Sequence, residues 1–290
     1  MRAKHISFPT IALLAGASLW GVIWFPMREL RDRGLEGLWL TLIMFGAALL
    51  VSLPRTARSL PDFRSHPAAL GLLMLAAGWT NIAFVEAVLG GNILRVLLLF
   101  YLSPLWQTLL GWLVLRERPS RMGLASLLIA MIGAVVMLYN PKSGWPWPSG
   151  AADWYALSSG FAFALSNVIT RRTSGVSVEA KALAVWSGVV LMALAMIGAF
   201  SVSVPTTGAS VYLGAAALGA FGILLMTMLV QYGVTHMPVY RSAVLSLVEL
   251  VAGAIAQQLF TDEVVLLRDW IGGAMIVLAA WLAAHASRAK

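Results

Sequence analysis

The sequence contains no cysteine and only four histidines, and just 11% of its residues are charged. The missing cysteines exclude disulfides and thiolate sites. The histidines lie at unrelated positions, so we expect neither a bound metal nor another cofactor. A soluble globular protein carries about twice this fraction of charge. The remainder is apolar, with 60% hydrophobic residues, which indicates a chain that lies in lipid.

Long apolar stretches with at most two charged residues each divide the chain into segments that can each cross a hydrocarbon core, which takes about 20 helical residues. They are 6–27, 37–54, 67–85, 96–115, 122–152, 154–170, the two parts of 182–240 on either side of the polar segment 201–210, 241–261 and 270–287. The basic start, residues 1–4, resembles a signal peptide, but the long apolar run behind it favours a retained first helix. The sequence therefore predicts an all-α integral membrane protein with ten transmembrane helices and no soluble domain.

The basic residues predict which side of the membrane each loop faces. With ten alternating spans and a cytoplasmic N-terminus, 14 of the 20 Lys and Arg residues fall on the cytoplasmic side, Lys181 among them. Basic loops resist translocation, so both termini are predicted to be cytoplasmic. The net charge of +8 does not indicate a nucleic-acid partner, because no basic stripe interleaved with aromatics and no nucleic-acid motif occurs.

Charged residues suggest an internal repeat. Arg95 and Glu117 bracket the fourth predicted span, and Arg241 and Glu263 bracket the ninth at the same spacing of 22, with 146 positions between the two pairs. This echo predicts two five-helix repeats, residues 1–145 and 146–290. An odd number of spans makes the second repeat the inverted image of the first. Two inverted repeats around a midplane site are an architecture for alternating access.

Short motifs point to a family. They are Leu19-Trp20-Gly21 in the first span, Leu102-Ser103-Pro104-Leu105 through Leu115-Arg116-Glu117-Arg118 in the fourth, and Ser246-Leu247-Val248-Glu249 through Thr261-Asp262-Glu263 in the ninth. With these motifs the whole chain resembles the drug/metabolite transporter superfamily with two EamA-type repeats, although Leu250 replaces a proline of the family motif. Tyr101-Leu102-Ser103-Pro104 and the many tryptophans look most like the aromatic amino-acid exporter branch called YddG.

The resemblance implies a function as well as a fold. It implies a secondary transporter that exports aromatic and other neutral amino acids and related small metabolites, acts as a monomer, and lies in the bacterial inner membrane as a multi-pass protein. No Walker-type sequence is present, so a gradient is expected to drive transport. Proton coupling, direction and the physiological substrate are left open.

Polar side chains inside spans face the protein interior or a water-filled path, so they are candidates for solute contact. Those predicted to line a cavity are Ser103, Gln107, Ser159, Asn167, Gln231 and Ser246. The alternative role for any one Ser is a bond to its own helix backbone. The three amide side chains are therefore the stronger candidates.

Two carboxylates lie within apolar sequence, Glu86 near the end of the third span and Glu249 inside the ninth. A charge in lipid costs about 3 kcal/mol, so each is expected to have a partner or a role. For Glu86 we favour an ion pair with Arg95 over a place in the cavity wall. Glu249 is predicted to line the cavity and either bind a substrate ammonium or carry a proton.

Aromatic residues could form an apolar cavity wall. Trp20, Trp24, Trp79, Tyr101 and Trp106 would suit aromatic substrates, although packing is the alternative for each. Pro104 removes a backbone hydrogen bond, which could hinge the fourth span or expose a carbonyl to the solute.

Other functions stay open as alternatives: an exporter of drugs or sugars, a channel, a lipid flippase, or an intramembrane enzyme built on Ser18 with His236 or His285. No catalytic motif supports the enzyme, and no regular charge ring or filter-like loop supports the channel. The sequence therefore predicts a transporter rather than an enzyme.

Overall fold

The structure is a computed structural model that describes residues 7–35, 37–91, 93–139, 147–261 and 265–285. Over these ranges every regular element is a helix and no strand occurs. The prediction of an all-α membrane protein is therefore confirmed. The chain ends and the predicted repeat boundary at 145–146 lie outside the described residues. The side of the membrane on which the termini lie stays a prediction.

The helices follow one another with short connections. The first half contains α1 (Phe8–Val22), α2 (Trp24–Asp32), α3 (Gly37–Thr56), a 3-10 turn (Ala57–Ser59), α4 (Leu60–Ser65), α5 (Pro67–Gly90), α6 (Ile93–Phe100), α7 (Ser103–Leu115) and α8 (Arg121–Leu138). The second half contains α9 (Ala151–Arg172), α10 (Val178–Ala199), α11 (Ala209–Ala217), a π-helical turn (Leu218–Ile223), α12 (Leu224–His236), α13 (Val239–Ser246), α14 (Val248–Phe260) and α15 (Leu267–His285).

Within the described ranges, nine helical segments are long and apolar enough to cross a membrane. They correspond to α1 with α2, α3 with α4, α5, α6 with α7, α8, α10, α11 with α12, α13 with α14, and α15. Helix α9 is more polar, but its 22 residues pack against α5 and α7 inside the bundle. A tenth span through α9 stays a prediction.

Helix ends follow from local sequence. The Ser120 hydroxyl accepts a hydrogen bond from Gly123 N at 3.1 Å, and the Ser177 hydroxyl accepts one from Ala180 N at 3.3 Å, which caps α8 and α10. Arg116 ends α7 in the left-handed region with a φ of 56°. These ends satisfy backbone groups that have few other partners near lipid.

Two helices are interrupted in the same way. Tyr101 and Leu102 separate α6 from α7, with Leu102 at φ −71° and ψ −10°. Leu247 separates α13 from α14 with φ −64° and ψ −12°. In each case a tight turn replaces the regular bonding: Leu102 N donates to Leu99 O at 3.3 Å, and Leu247 N donates to Val244 O at 3.2 Å. The two interruptions are the corresponding points of the two repeats.

This match corrects the register of the repeat. Leu102 and Leu247 lie 145 positions apart, one fewer than the 146 that the charged pairs suggested. Arg95 therefore corresponds to Tyr240 rather than to Arg241. Glu263, the other charge of the predicted match, lies outside the described residues.

Glycines bring helices of the two halves into backbone contact, and the contact occurs twice with its partners exchanged. A methyl group at Gly188 would lie 2.1 Å from Met74 O, and one at Gly219 would lie 2.1 Å from Met44 O. Met44 precedes Gly188 by 144 positions, and Met74 precedes Gly219 by 145. A two-fold relation between the repeats produces this exchange.

The helix pairs repeat the same pattern. In one repeat α5 packs against α9 and α10 of the other repeat. In the reverse direction α12 packs against α1, and the π-helical turn before α12 packs against α3. Helices α8 and α15 pair with each other, and there a methyl group at Gly133 would lie 2.7 Å from Gly272 O. The two repeats are thus interlocked, and the interrupted helices α6/α7 and α13/α14 lie between them.

Candidate functional site

Tyr101 and Glu249 meet where the two interrupted helices approach each other. Tyr101 is 7% exposed and packs in an apolar cluster with Val244 and Leu247. Glu249 is the second residue of α14. The Tyr101 hydroxyl lies near the Glu249 carboxylate. The predicted cavity residues Tyr101 and Glu249 are therefore brought together.

Glycines on neighbouring helices fit against both interruptions. A methyl group at Gly160 of α9 would lie 2.6 Å from Phe100 O, and one at Gly21 of α1 would lie 2.2 Å from Glu249 O. Phe100 O is the carbonyl that an amide at position 104 would bond in a continuous helix, and Pro104 has no N–H. The carbonyl that Pro104 leaves without a helical donor thus faces Gly160, and Pro104 itself is buried.

Two of the predicted amide residues bond to each other. Asn167 Nδ2 donates to Gln107 Oε1 at 2.9 Å, and Gln107 Nε2 donates to Ser242 Oγ at 2.9 Å and to Val239 O at 3.1 Å. All of these groups are buried. The network joins α7, α9 and α13, so it fixes helices that adjoin the two interruptions beside Tyr101 and Glu249.

Other predicted polar residues also make bonds within the protein. Gln231 Oε1 accepts a bond from Thr170 Oγ1 at 2.9 Å, joining α12 to α9. Ser159 Oγ donates to Thr80 O at 2.7 Å, joining α9 to α5. Ser246 Oγ bonds within its own helix, as the alternative for Ser residues anticipated. Ser103 is buried at the start of α7.

The five predicted aromatic residues do not form one wall, and three of them lie apart from one another. Trp20 packs against the buried cluster that contains Met44 and Trp186. Trp24 contacts Phe25 edge to face at 6.0 Å between ring centroids. Trp79, on α5, donates from its indole to Ser158 Oγ at 3.2 Å.

Trp106 and Tyr101 belong to a series of ring contacts beside the interruption of α6/α7. Trp106 meets Phe161 edge to face at 5.9 Å, and Phe100 meets Tyr101 edge to face at 5.3 Å. Among the residues that the structure describes, the buried indole N–H of Trp106 has no acceptor. A solute that enters here would meet aromatic faces and one donor that lacks a partner.

A pocket of about 450 Å³ opens at the Arg95 end of the bundle, where α5 ends and α6 and α9 begin. Its wall includes Glu86, Gly91, Arg95, Ser149, Asp153 and Tyr155. The predicted ion pair of Glu86 with Arg95 is wrong. Arg95 instead pairs with Asp153, with Nε and Nη2 each 2.9 Å from a carboxylate oxygen, because the start of α9 lies beside the start of α6.

The opposite end, which we call the Glu117 end, is held by a charged network. Glu117 Oε1 accepts from Arg171 Nε at 2.8 Å, and Glu117 Oε2 accepts from Val239 N at 2.7 Å. Arg171 also donates to Thr235 O at 2.9 Å. The network links the end of α7 with the ends of α9 and α12 and the start of α13, so residues from both repeats meet in it.

Lys181 belongs to the same network and corrects a prediction. Counted above as a loop charge, it lies inside α10 with 0% of its surface exposed. Its ammonium group donates to Thr235 Oγ1 at 3.0 Å. The first turn of α10 is covered by neighbouring helices, so this basic residue does not face water.

Sequence reasoning missed Asp153 and Arg171 as partners in these charged contacts. A signal existed: the fourth predicted span has Arg95 before it and Glu117 after it, and the sixth has Asp153 before it and Arg171 after it. Two parallel neighbouring helices with opposite charges at matching ends form two ion pairs. The sequence did not show that these two helices are neighbours.

Known proteins resemble this chain in sequence and in fold. The profile of the EamA-like transporter family matches residues 8–139 and 150–284. The chain belongs to this family. Its two matched segments correspond to the two repeats, and with its many spans the EamA-like chain is a multi-pass membrane protein. Of the described residues, no group of His, Cys, Asp or Glu has the arrangement of a metal site.

Curated relatives of this EamA-like chain are bacterial. Protein RarD of Salmonella typhi is 26% identical over 214 residues, which cover 70% of this chain and 67% of RarD. Protein RarD of Salmonella typhimurium (strain LT2) is 26% identical over 192 residues, covering 62% of this chain and 60% of RarD. Such relatives place this chain in the bacterial inner membrane.

A solved crystal structure shares the fold. It superposes with a TM-score of 0.77 over 96% of this chain and 98% of the other, at 19% sequence identity. At this identity the likeness concerns the fold alone. The narrower resemblance to the aromatic amino-acid exporter branch stays a prediction.

Proposed function

We propose that this protein exports aromatic and other neutral amino acids, and related small metabolites, by alternating access. The observation that carries the proposal is the Glu249 carboxylate beside the Tyr101 hydroxyl at the matched interruptions of α13/α14 and α6/α7. A carboxylate inside a membrane protein usually marks a solute or ion pathway. In transporters, interrupted helices typically surround the substrate site.

The chemistry of this place suits an α-amino acid. The Glu249 carboxylate would accept hydrogen bonds from the substrate ammonium, and the Tyr101 hydroxyl would hold that carboxylate in position. The aromatic rings of Phe100 and Trp106 would bury an apolar side chain. The indole N–H of Trp106, which has no acceptor among the described residues, is available to a substrate carboxylate.

In this proposal most of the other polar residues hold the helices around the solute site and do not contact the solute. Gln107, Asn167 and Ser242 fix α7, α9 and α13 relative to one another. Ser159 and Gln231 join α9 to α5 and to α12. In this proposal Trp20, Trp24 and Trp79 line the route toward the two ends of the bundle.

Alternating access would use the two ends of the bundle in turn. The Glu117 end is held closed by Glu117, Arg171 and Lys181, whereas the Arg95 end contains the 450 Å³ pocket. We assign the Glu117 end to the cytoplasm, following the distribution of basic residues. With α9 as a tenth span, the repeats are inverted images, and exchange of their conformations would open the Glu117 end and close the Arg95 end.

Transport in proteoliposomes tests the proposal. Purified protein would be reconstituted and assayed with phenylalanine, leucine, a sugar, a cationic drug and a fluorescent lipid, with and without a pH gradient. We expect saturable flux of phenylalanine and of leucine. Each amino acid should inhibit the flux of the other. Flux of the sugar, the drug or the lipid without amino-acid flux would replace the proposal with the corresponding alternative. The assays with and without the gradient decide whether protons are coupled.

A further inference from the structure

The pocket at the Arg95 end is lined by three charged side chains, Glu86, Arg95 and Asp153, which differ in how many bonds they make. Asp153 accepts two bonds from Arg95 and further bonds from Ser149 N at 2.9 Å and Ser149 Oγ at 3.2 Å. Glu86 makes no hydrogen bond or ion pair with any described residue, although it lines the same pocket. The two carboxylates and one guanidinium give the described wall a net charge of −1.

We propose that this pocket is a second binding site for an ammonium group, with Glu86 as its acceptor, at the mouth of the transport route. The proposal rests on the proposed transport of amino acids. The ligand class is a small molecule with a primary ammonium group and an apolar or aromatic body. The volume of about 450 Å³ lies within the range of about 300–1,000 Å³ that small-molecule sites occupy.

The pocket wall supplies a second contact for a cation. Tyr155 lines the pocket, and its ring lies 6.2 Å from that of Trp79, which is anchored on Ser158. An aromatic face beside a carboxylate attracts an ammonium group through its quadrupole. Glu86 and Tyr155 thus provide the charge and the surface that recognise an amine, and Arg95 stays occupied by Asp153.

The fold does not require a charge at position 86. In the repeat register of 145, Glu86 corresponds to Gln231 of α12, a neutral residue whose Oε1 atom is bonded to Thr170 inside the bundle. The same place in the other repeat is thus filled by an amide. Glu86 is half-buried and lines the pocket, so its carboxylate can accept hydrogen bonds from a ligand rather than from the packing.

Direct binding to the purified protein tests this site. The probes are phenethylamine, which has an ammonium and no carboxylate, and 3-phenylpropionate, which has a carboxylate and no ammonium. To remove the Tyr101/Glu249 site, binding is measured by calorimetry in the Glu249→Gln background, with and without Glu86→Gln. We expect Glu86→Gln to weaken phenethylamine binding about tenfold or more, and to leave 3-phenylpropionate unchanged.

The control is Glu179→Gln in the same background, since Glu179 is an exposed acid outside the pocket. Glu86→Gln introduces the side chain of the equivalent position, and its thermal unfolding is measured to confirm a folded protein. Equal phenethylamine affinity with and without the Glu86→Gln substitution would overturn the inference, even if the wild type transports amino acids. Glu86-dependent binding in a protein that transports no amino acid would support the pocket and refute the proposed function.

Discussion

Asn167 on α9 donates to Gln107 on α7 at 2.9 Å, and both side chains are buried. Sequence reasoning singled out these amides as solute contacts, whereas the structure uses them to fix helices of the two repeats beside Tyr101 and Glu249. Buried polar groups in such a network depend on one another, since removal of one leaves its partner unsatisfied.

A double-mutant cycle would measure this dependence. We expect Gln107→Ala and Asn167→Ala each to lower the free energy of unfolding by about 1–3 kcal/mol, and the double variant to lose less than the sum of the two. Thermal or denaturant unfolding in detergent gives these values. Strict additivity would show that the two amides do not act as a pair.

Glu249 provides the sharpest test of the solute site. We expect Glu249→Gln to reduce amino-acid flux about ten- to hundredfold, because hydrogen bonds to charged groups contribute about 1.5–3 kcal/mol. Tyr101→Phe should have a smaller effect in the same direction, since it only removes the hydroxyl beside the carboxylate. The matched control, Glu179→Gln, changes an exposed acid at the start of α10 and should transport normally. Normal flux of the Glu249 variant would remove this residue from the site.

The exchanged glycine contacts predict a pattern of stability. We expect Gly188→Ala and Gly219→Ala each to cost about 1–3 kcal/mol, since each new methyl group would lie 2.1 Å from a backbone oxygen. Gly46→Ala and Gly71→Ala are matched helical controls with nothing within 4 Å of the added methyl group, and they should be neutral or stabilising. Unfolding temperatures compare the four variants. A similar shift for all four would contradict the close approach of the helices.

The sequence predicted the spans well because lipid imposes a simple rule on each helix. The polar segment 201–210 was expected to divide two spans, and the structure leaves 200–208 between α10 and α11. The interruption at Pro104 was also foreseeable, because proline lacks the N–H that a continuous helix requires. Its counterpart at Leu247 was not, because no proline or glycine marks it.

The contacts between spans were harder to predict than the spans themselves. Arg95 was predicted to pair with Glu86, which is near it in sequence. In the structure Arg95 pairs with Asp153, which lies 58 positions away. Lys181 was counted as a loop residue because the charge-free run begins only at residue 182, whereas the helix already begins at Val178. The partner of a charged residue at a helix end depends on which helices are adjacent. The apolar surfaces of the spans resemble one another, so the sequence contains little information about which helices are adjacent.

Cysteine labelling measures alternating access by the two repeats without background reaction, because the chain contains no native cysteine. Gly150→Cys places a thiol in the pocket with open space around it, and Thr235→Cys replaces a buried hydroxyl in the Glu117 network by a group of similar size. Labelling rates are measured in proteoliposomes with and without phenylalanine and under substrate gradients of either direction. We expect opposite changes, so that each condition that protects the thiol at position 150 exposes the thiol at position 235. Changes of the same sign at both positions, or no change at Thr235→Cys under any condition, would contradict alternating access.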